Sequence, residues 1–91
     1  MKRILNLGCG NETYGTDRVD YIKTKTTTKV ADLNKKFPYP SNSFDEVYSC
    51  DALEHIRNLG NFAEECFRVL KKGGKLHIRT DNAAYLPYHL H

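Results

Sequence analysis

The 91-residue chain has no apolar run long enough to span a membrane. Its basic start, Met1-Lys2-Arg3, precedes an apolar stretch that stops at Gly8, too soon for a secretory signal. Cysteines are few: Cys9, Cys50 and Cys66, an odd number with no C-x-x-C spacing. That usage suits a reducing, cytoplasmic setting. It also gives a zinc site built from these thiols and His55 no paired ligand spacing to rest on, so no metal is expected. Charge of one sign is scarce as well, with a formal net charge of +3 and lysines and arginines spread along the whole chain. Such a mild, dispersed balance indicates a solvated surface rather than nucleic-acid binding. The prolines number three, and two of them, Pro38 and Pro40, exclude helix or central strand from Phe37 to Pro40.

What is present is ordinary globular composition, 40% hydrophobic and 27% charged. A chain of this length forms one domain and buries about two-thirds of its unfolded surface. The most specific stretch is Ile4-Leu-Asn-Leu-Gly-Cys-Gly-Asn11. A short apolar run entering two glycines reads as a buried parallel strand followed by a sharp turn that leaves room for a close approach. In open α/β sheets the crevice beyond the carboxyl ends of the strands is where ligands bind. A dinucleotide fingerprint would need a third glycine where Thr13 stands, which disfavours NAD and FAD.

Along the chain, Arg3 to Leu7 is expected as the first strand. Only nine residues separate Gly10 from Asp20, too few for a full crossover helix and a second strand. At most one helical turn is expected, near Glu12 to Gly15, then a short strand from Arg18 to Ile22. Lys23 to Lys29 is polar and reads as a solvated loop, leading to a brief third strand from Lys29 to Ala31. Ser41-Asn42-Ser43 is turn chemistry, and Phe44 to Cys50 is the fourth strand. Asp51 to Arg57 reads as a short helix or turn. Leu59, Phe62, Ala63, Cys66, Phe67 and Leu70 form one apolar helical stripe. Asn61 is the expected N-cap with Glu64 completing a capping box, acids in the first turn, and Gly73-Gly74 as the stop. Lys75 to Thr80 is the fifth strand, with Leu76 and Ile78 on one face and Lys75, His77 and Arg79 on the other, so it should be half-exposed. Residues 81–91 form a polar and aromatic tail.

These pieces occur in a telling order: Leu-Asn-Leu-Gly-Cys-Gly-Asn, Val19-Asp20, Ala31-Asp32-Leu33, Pro40-Ser41-Asn42-Ser43-Phe44-Asp45, Leu53-Glu54-His55-Ile56 and Arg68-Val69-Leu70-Lys71-Lys72-Gly73-Gly74. Together, over about residues 3 to 82, they resemble the class I S-adenosylmethionine-dependent methyltransferases. The likeness is to a shortened form of the small-molecule, ubiquinone-biosynthesis type (methyltransferase type 11 group). The resemblance implies an α/β, Rossmann-like, mainly parallel open sheet of about five strands in order 3-2-1-4-5. Crossover helices would be reduced and the family's final strands absent.

The resemblance also implies S-adenosyl-L-methionine as cofactor and assigns its contacts. Gly8, Cys9 and Gly10 would pass beneath its methionine and ribose; Asp20 would accept from the ribose hydroxyls; Asp32 would take the adenine amino group beside Leu33. Ser49 and Cys50 would line the other side. Asn6 stands where the family usually has an acid, which leaves a neutral hydrogen bond to the amino group. Asp17 is the runner-up for the ribose role. The residues also admit plainer roles, Asp20 capping a turn and Asp32 N-capping Leu33 to Lys36. No catalytic base is identified; His55 is a weak candidate beside the simpler expectation that it bonds to backbone. Asp81, Asn82, Tyr85 and Tyr88 lie where acceptors often bind, and the methyl acceptor itself is undefined. The alternative is a non-catalytic module that binds the cofactor or a partner. With one sheet face thinly covered, including Ile4 and Ile22, and the fifth strand an open edge, a homodimer using residues 81–91 is expected.

Overall fold

The computed structural model describes residues 2–50 and 55–79. Within them five parallel strands form one sheet in order 3-2-1-4-5: β1 (Ile4–Leu7), β2 (Asp17–Asp20), β3 (Lys29–Val30), β4 (Phe44–Cys50) and β5 (Leu70–Arg79). The single helix described, α1 (Leu59–Val69), carries the chain from β4 to β5.

The register explains which residues are core. Leu5 lies opposite Val47, Leu7 opposite Val19 and Ser49, and Val47 opposite Leu76, so these side chains share one face. That face packs on Phe62, Cys66 and Val69 of α1, with Phe37 and Phe44 closing the ends. Phe37 meets Phe62 edge to face at 5.8 Å, and Tyr39 meets Phe44 at 5.2 Å. Burial raises the Tyr39 phenol to about 12. The opposite face holds Ile4, Asn6, Glu46, Tyr48 and His77. No helix among the described residues covers it; Tyr14, from the 11–16 segment, lies over Tyr48 at 4.8 Å and donates to Glu46.

Several expected boundaries shift. β2 ends at Asp20 rather than Ile22, because the Asp20 carboxylate takes the next amide and turns the chain. β1 starts at Ile4 and β3 stops at Val30. Residues 12–15 form no helical turn, as their short span is held by Thr16 to Ile4 bonds and by the Asn6 amide. The N-cap of α1 is Asn58, not Asn61: its Oδ1 accepts from Asn61 N at 3.0 Å. Starting the helix three residues earlier leaves no acid in its first turn. Asn61 Nδ2 instead donates to Lys35 O at 3.1 Å.

Gly73-Gly74 does not end the helix. The helix stops at Leu70, already extended at ψ 138°, and the glycines lie in β5, where the pairing jumps from Phe44 opposite Leu70 to Glu46 opposite Lys75. The register breaks here, and Gly74 is tight in the break: a Cβ there would collide with Leu70 Cδ2 and sit 2.9 Å from Lys71 O. The apolar stripe is also narrower than its spacing suggests. Leu59 and Phe67 are 43% and 42% exposed, and Glu65 takes a buried place. Its carboxylate accepts from Phe37 N at 2.7 Å and from two nitrogens of Arg68 at 2.8 Å, while Arg68 donates onward to Phe37 O. The half-exposed character of β5 holds, with Leu76 and Ile78 partly buried and Lys75, His77 and Arg79 exposed. Residues 51–54, and residues 80–91 with the acceptor and dimer-contact roles expected of them, lie outside the described residues.

Candidate active site

The β1 strand ends in a turn whose first amides are tied to β2. Gly8 N and Cys9 N both donate to Val19 O, at 2.8 and 3.1 Å. Gly10 has φ 55°, a left-handed conformation costly for residues with a Cβ, although its missing Cβ would meet nothing within 4 Å. It is backbone shape, not space, that demands glycine there. Gly10 N donates to Asp20 Oδ2 at 2.7 Å, and Tyr21 N donates to Oδ1 at 2.7 Å. Asp20 is thus a turn-holding carboxylate, 8% exposed, at the carboxyl end of β2. Each of its oxygens keeps a second lone pair, so holding the turn leaves it able to accept from a ligand.

Beyond these strand ends opens a cleft of about 790 Å³, within the usual size of small-molecule sites. Gly8 and Asp20 line one side, Asp32 and Leu33 another, and His55 to Arg57 close it from across. Asp32 Oδ1 accepts from Asn34 N at 2.9 Å and Nδ2 at 3.1 Å, bonds that hold its carboxyl below the usual carboxylate range, with Lys35 and Arg57 helping. Its Oδ2 bonds to nothing among the described residues. Asn34 in turn ties the far wall, accepting from Arg57 N at 2.7 Å and Asn58 N at 3.1 Å through Oδ1. The His55 ring lies 6.4 Å from the Tyr21 ring at the mouth.

Of the residues singled out from sequence, the cleft brings together Gly8, Asp20, Asp32, Leu33 and His55. Gly10 stands behind it, holding Asp20. The Cys9 side chain is buried in the turn, its thiol pushed up by burial and by Asp20. Ser49 is buried and donates to Leu7 O at 3.0 Å, tying β4 to β1. Cys50 ends β4, half-buried. Asn6 is wholly buried; its Nδ2 donates to Glu12 Oε1 and Tyr14 O, and its Oδ1 finds no donor among the described residues. Asp17 is remote from the cleft, paired with Arg3 at 3.2 Å. Tyr21, Asn34 and Arg57 also line the cleft and were not singled out. For Tyr21 a signal existed, an aromatic directly after a strand-end carboxylate. Asn34 and Arg57 meet across more than twenty residues of chain and carry no local sign of it.

An open parallel sheet in this order, with a cleft and two carboxylates beyond its carboxyl ends, is of the Rossmann-like class, in which that crevice is where ligands bind. Comparison with known proteins narrows the class. The model of a family described as a methyltransferase domain matches residues 6–78. The chain belongs to that family, among the class I S-adenosylmethionine-dependent methyltransferases. It is 35% identical over 95 residues to human ubiquinone biosynthesis O-methyltransferase, mitochondrial, covering 89% of this chain and 26% of that one. It is 29% identical over 98 residues to a probable S-adenosylmethionine-dependent methyltransferase of Mycolicibacterium smegmatis, covering 87% and 38%. Among solved structures, a Pyrococcus horikoshii protein superposes with TM-score 0.70 at 23% identity, over 92% of this chain and 48% of that one, a likeness of fold. The chain thus spans only 17% to 38% of the length of these and similar curated relatives.

Proposed function

We propose that this chain binds S-adenosyl-L-methionine in the cleft beyond β1, β2 and β3 and serves methyl transfer to an acceptor. The observation that carries the proposal is the pair of carboxylates, Asp20 and Asp32, flanking a 790 Å³ cleft beside the left-handed Gly10 turn. The fit is one of donors and acceptors. An adenosine presents two ribose hydroxyls and an amino group, all donors, and this wall offers charged acceptors, which make stronger bonds than neutral ones. Asp20 would hold the ribose hydroxyls through its remaining lone pairs, and Asp32 the adenine amino group through its unbonded Oδ2.

When bound, S-adenosyl-L-methionine supplies an electrophilic methyl group on a sulfonium sulfur. Its displacement depends on alignment more than on acid–base help. Gly8 and Gly10 leave the turn without side chains there, and Asp20 fixes the turn against β2, so the chain's part is to orient. His55 lines the cleft and would take a proton where the acceptor has one to lose. Calorimetric titration with S-adenosylhomocysteine tests the proposal, with binding expected in the micromolar range or tighter. A folded protein that shows no heat of binding at millimolar ligand refutes it.

A further inference from the structure

We propose that Thr24 and Thr26, in the β2–β3 connection, are positioning residues for the proposed cofactor cleft, acting through the carbonyl of Gly10. This inference rests on the cofactor reading above and adds to it the device that shapes the site. Gly10 is held on both sides of its Cα: its N–H goes to Asp20, while its carbonyl receives the Thr24 hydroxyl at 2.6 Å and the Thr26 hydroxyl at 3.2 Å, with the Cys9 thiol at 3.5 Å.

The direction of the Thr24 bond is fixed by arithmetic on one hydroxyl. Thr24 Oγ1 accepts from Thr26 N and Thr27 N, both at 3.2 Å, which uses its lone pairs. Its single proton is then free for Gly10 O. Thr27 braces the same turn, accepting from Thr24 N at 2.9 Å and donating to Thr24 O at 3.1 Å, without touching Gly10. A second tie runs in parallel. Arg18 donates to Thr26 O at 2.6 Å and to Gly15 O at 2.8 Å, so the two connections beyond β1 and β2 are joined at both ends.

Neither connection contains a helix among the described residues, so no packed apolar stripe holds the Gly8 to Gly15 segment. Side-chain hydrogen bonds hold it instead. The geometry of Gly10 passes directly to Asp20, whose Oδ2 takes the Gly10 amide, and Asp20 faces the cleft. Thr24 and Thr26 do not line the cleft themselves. The bonds they make to the site's turn end on Gly10.

The test compares isosteric valine variants by calorimetry with S-adenosylhomocysteine, by thermal melting, and by hydrogen exchange of the Gly10 amide. Thr24→Val should weaken binding about three- to tenfold, the scale of one neutral hydrogen bond, and speed Gly10 exchange. Thr24→Ser, which keeps the hydroxyl, should restore both to within about twofold. Thr28→Val is the structural control: its hydroxyl bonds only the Arg18 backbone, so it should lower the melting temperature and leave affinity and Gly10 exchange unchanged. Wild-type affinity in a folded Thr24→Val overturns the proposal, as does an equal loss of affinity in Thr28→Val. Should Thr24→Val fail to fold, Thr26→Val carries the same test on the same carbonyl, and unchanged affinity there overturns it. A wild type that binds no ligand refutes the cofactor reading instead, and Gly10 exchange independent of Thr24 refutes the clasp.

Discussion

Replacing Asp20 by asparagine separates the two duties assigned to that side chain. Each carboxylate oxygen accepts one backbone amide at 2.7 Å, Gly10 N at Oδ2 and Tyr21 N at Oδ1. An asparagine of the same shape offers one carbonyl oxygen and one NH2 group. Whichever way it turns, one amide loses its acceptor and faces a donor. At 8% exposure water does little to repair this. Losing a hydrogen bond to a charged group costs about 1.5–3 kcal/mol, so Asp20→Asn should be destabilised by that amount. In a domain of this size the melting temperature should fall by at least about 6 °C. Urea unfolding gives the same free energy independently, with an unchanged slope marking a change in stability alone. Asp20→Ala, which leaves both amides unpaired, should be worse. Were Asp20 only a ligand acceptor, both variants would bind poorly and melt like the wild type. Stability of Asp20→Asn within about 0.5 kcal/mol of wild type therefore refutes the turn-holding role.

The Arg68 guanidinium beside Glu65, together with the Phe37 amide, holds that carboxyl below its ordinary value of 4.5. A carboxylate more acidic in the folded state stabilises above the unfolded value and loses that stabilisation as pH falls through the folded one. The stability gap between wild type and Glu65→Gln in urea titrations should be full near pH 7 and shrink in acid; a gap constant down to about pH 3 contradicts it. Gly74→Ala should cost about 1–3 kcal/mol in thermal melts, because its Cβ would lie 2.9 and 3.1 Å from the Lys71 and Asp45 carbonyl oxygens, backbone that cannot swing aside.

What was legible in the sequence was whatever is encoded locally. The β1 strand, expected from Arg3 and observed from Ile4, and its glycine turn follow from the local pattern, and β4 from Phe44 to Cys50 matches the strand observed. The polar stripe of β5 announced its exposed face. The ordered motifs carried the strand order and the family. What was not legible depends on partners distant in the chain. Asn58 and Asn61 are equally good caps by composition, and the choice falls to Asn61 Nδ2 reaching Lys35 O. Glu65 reads as a solvent-facing acid until Phe37 supplies an amide and Arg68 a cation. The Lys23 to Lys29 stretch reads as solvated, and its lysines are exposed, but Thr24, Thr26 and Thr27 turn inward. Periodicity cannot reveal such a use of threonine, because it serves a carbonyl in another connection.

The short connections make one physical trade throughout. A crossover helix fixes the strand ends by burying an apolar stripe, which is non-directional and tolerant of small shifts. Here the same ends are fixed by directional bonds: Asp20 on Gly10, threonines on its carbonyl, Arg18 across both connections, and Tyr14 laid over Tyr48 with its hydroxyl on Glu46. Each bond contributes about 1 kcal/mol net, but a buried partner left unsatisfied costs more than the bond contributed. The site is therefore held by interactions that fail sharply, and the groups that hold it adjoin the groups that face the cleft. Stability and ligand affinity should move together when Asp20 is altered and separate when the change is confined to Thr28, whose bonds end on Arg18.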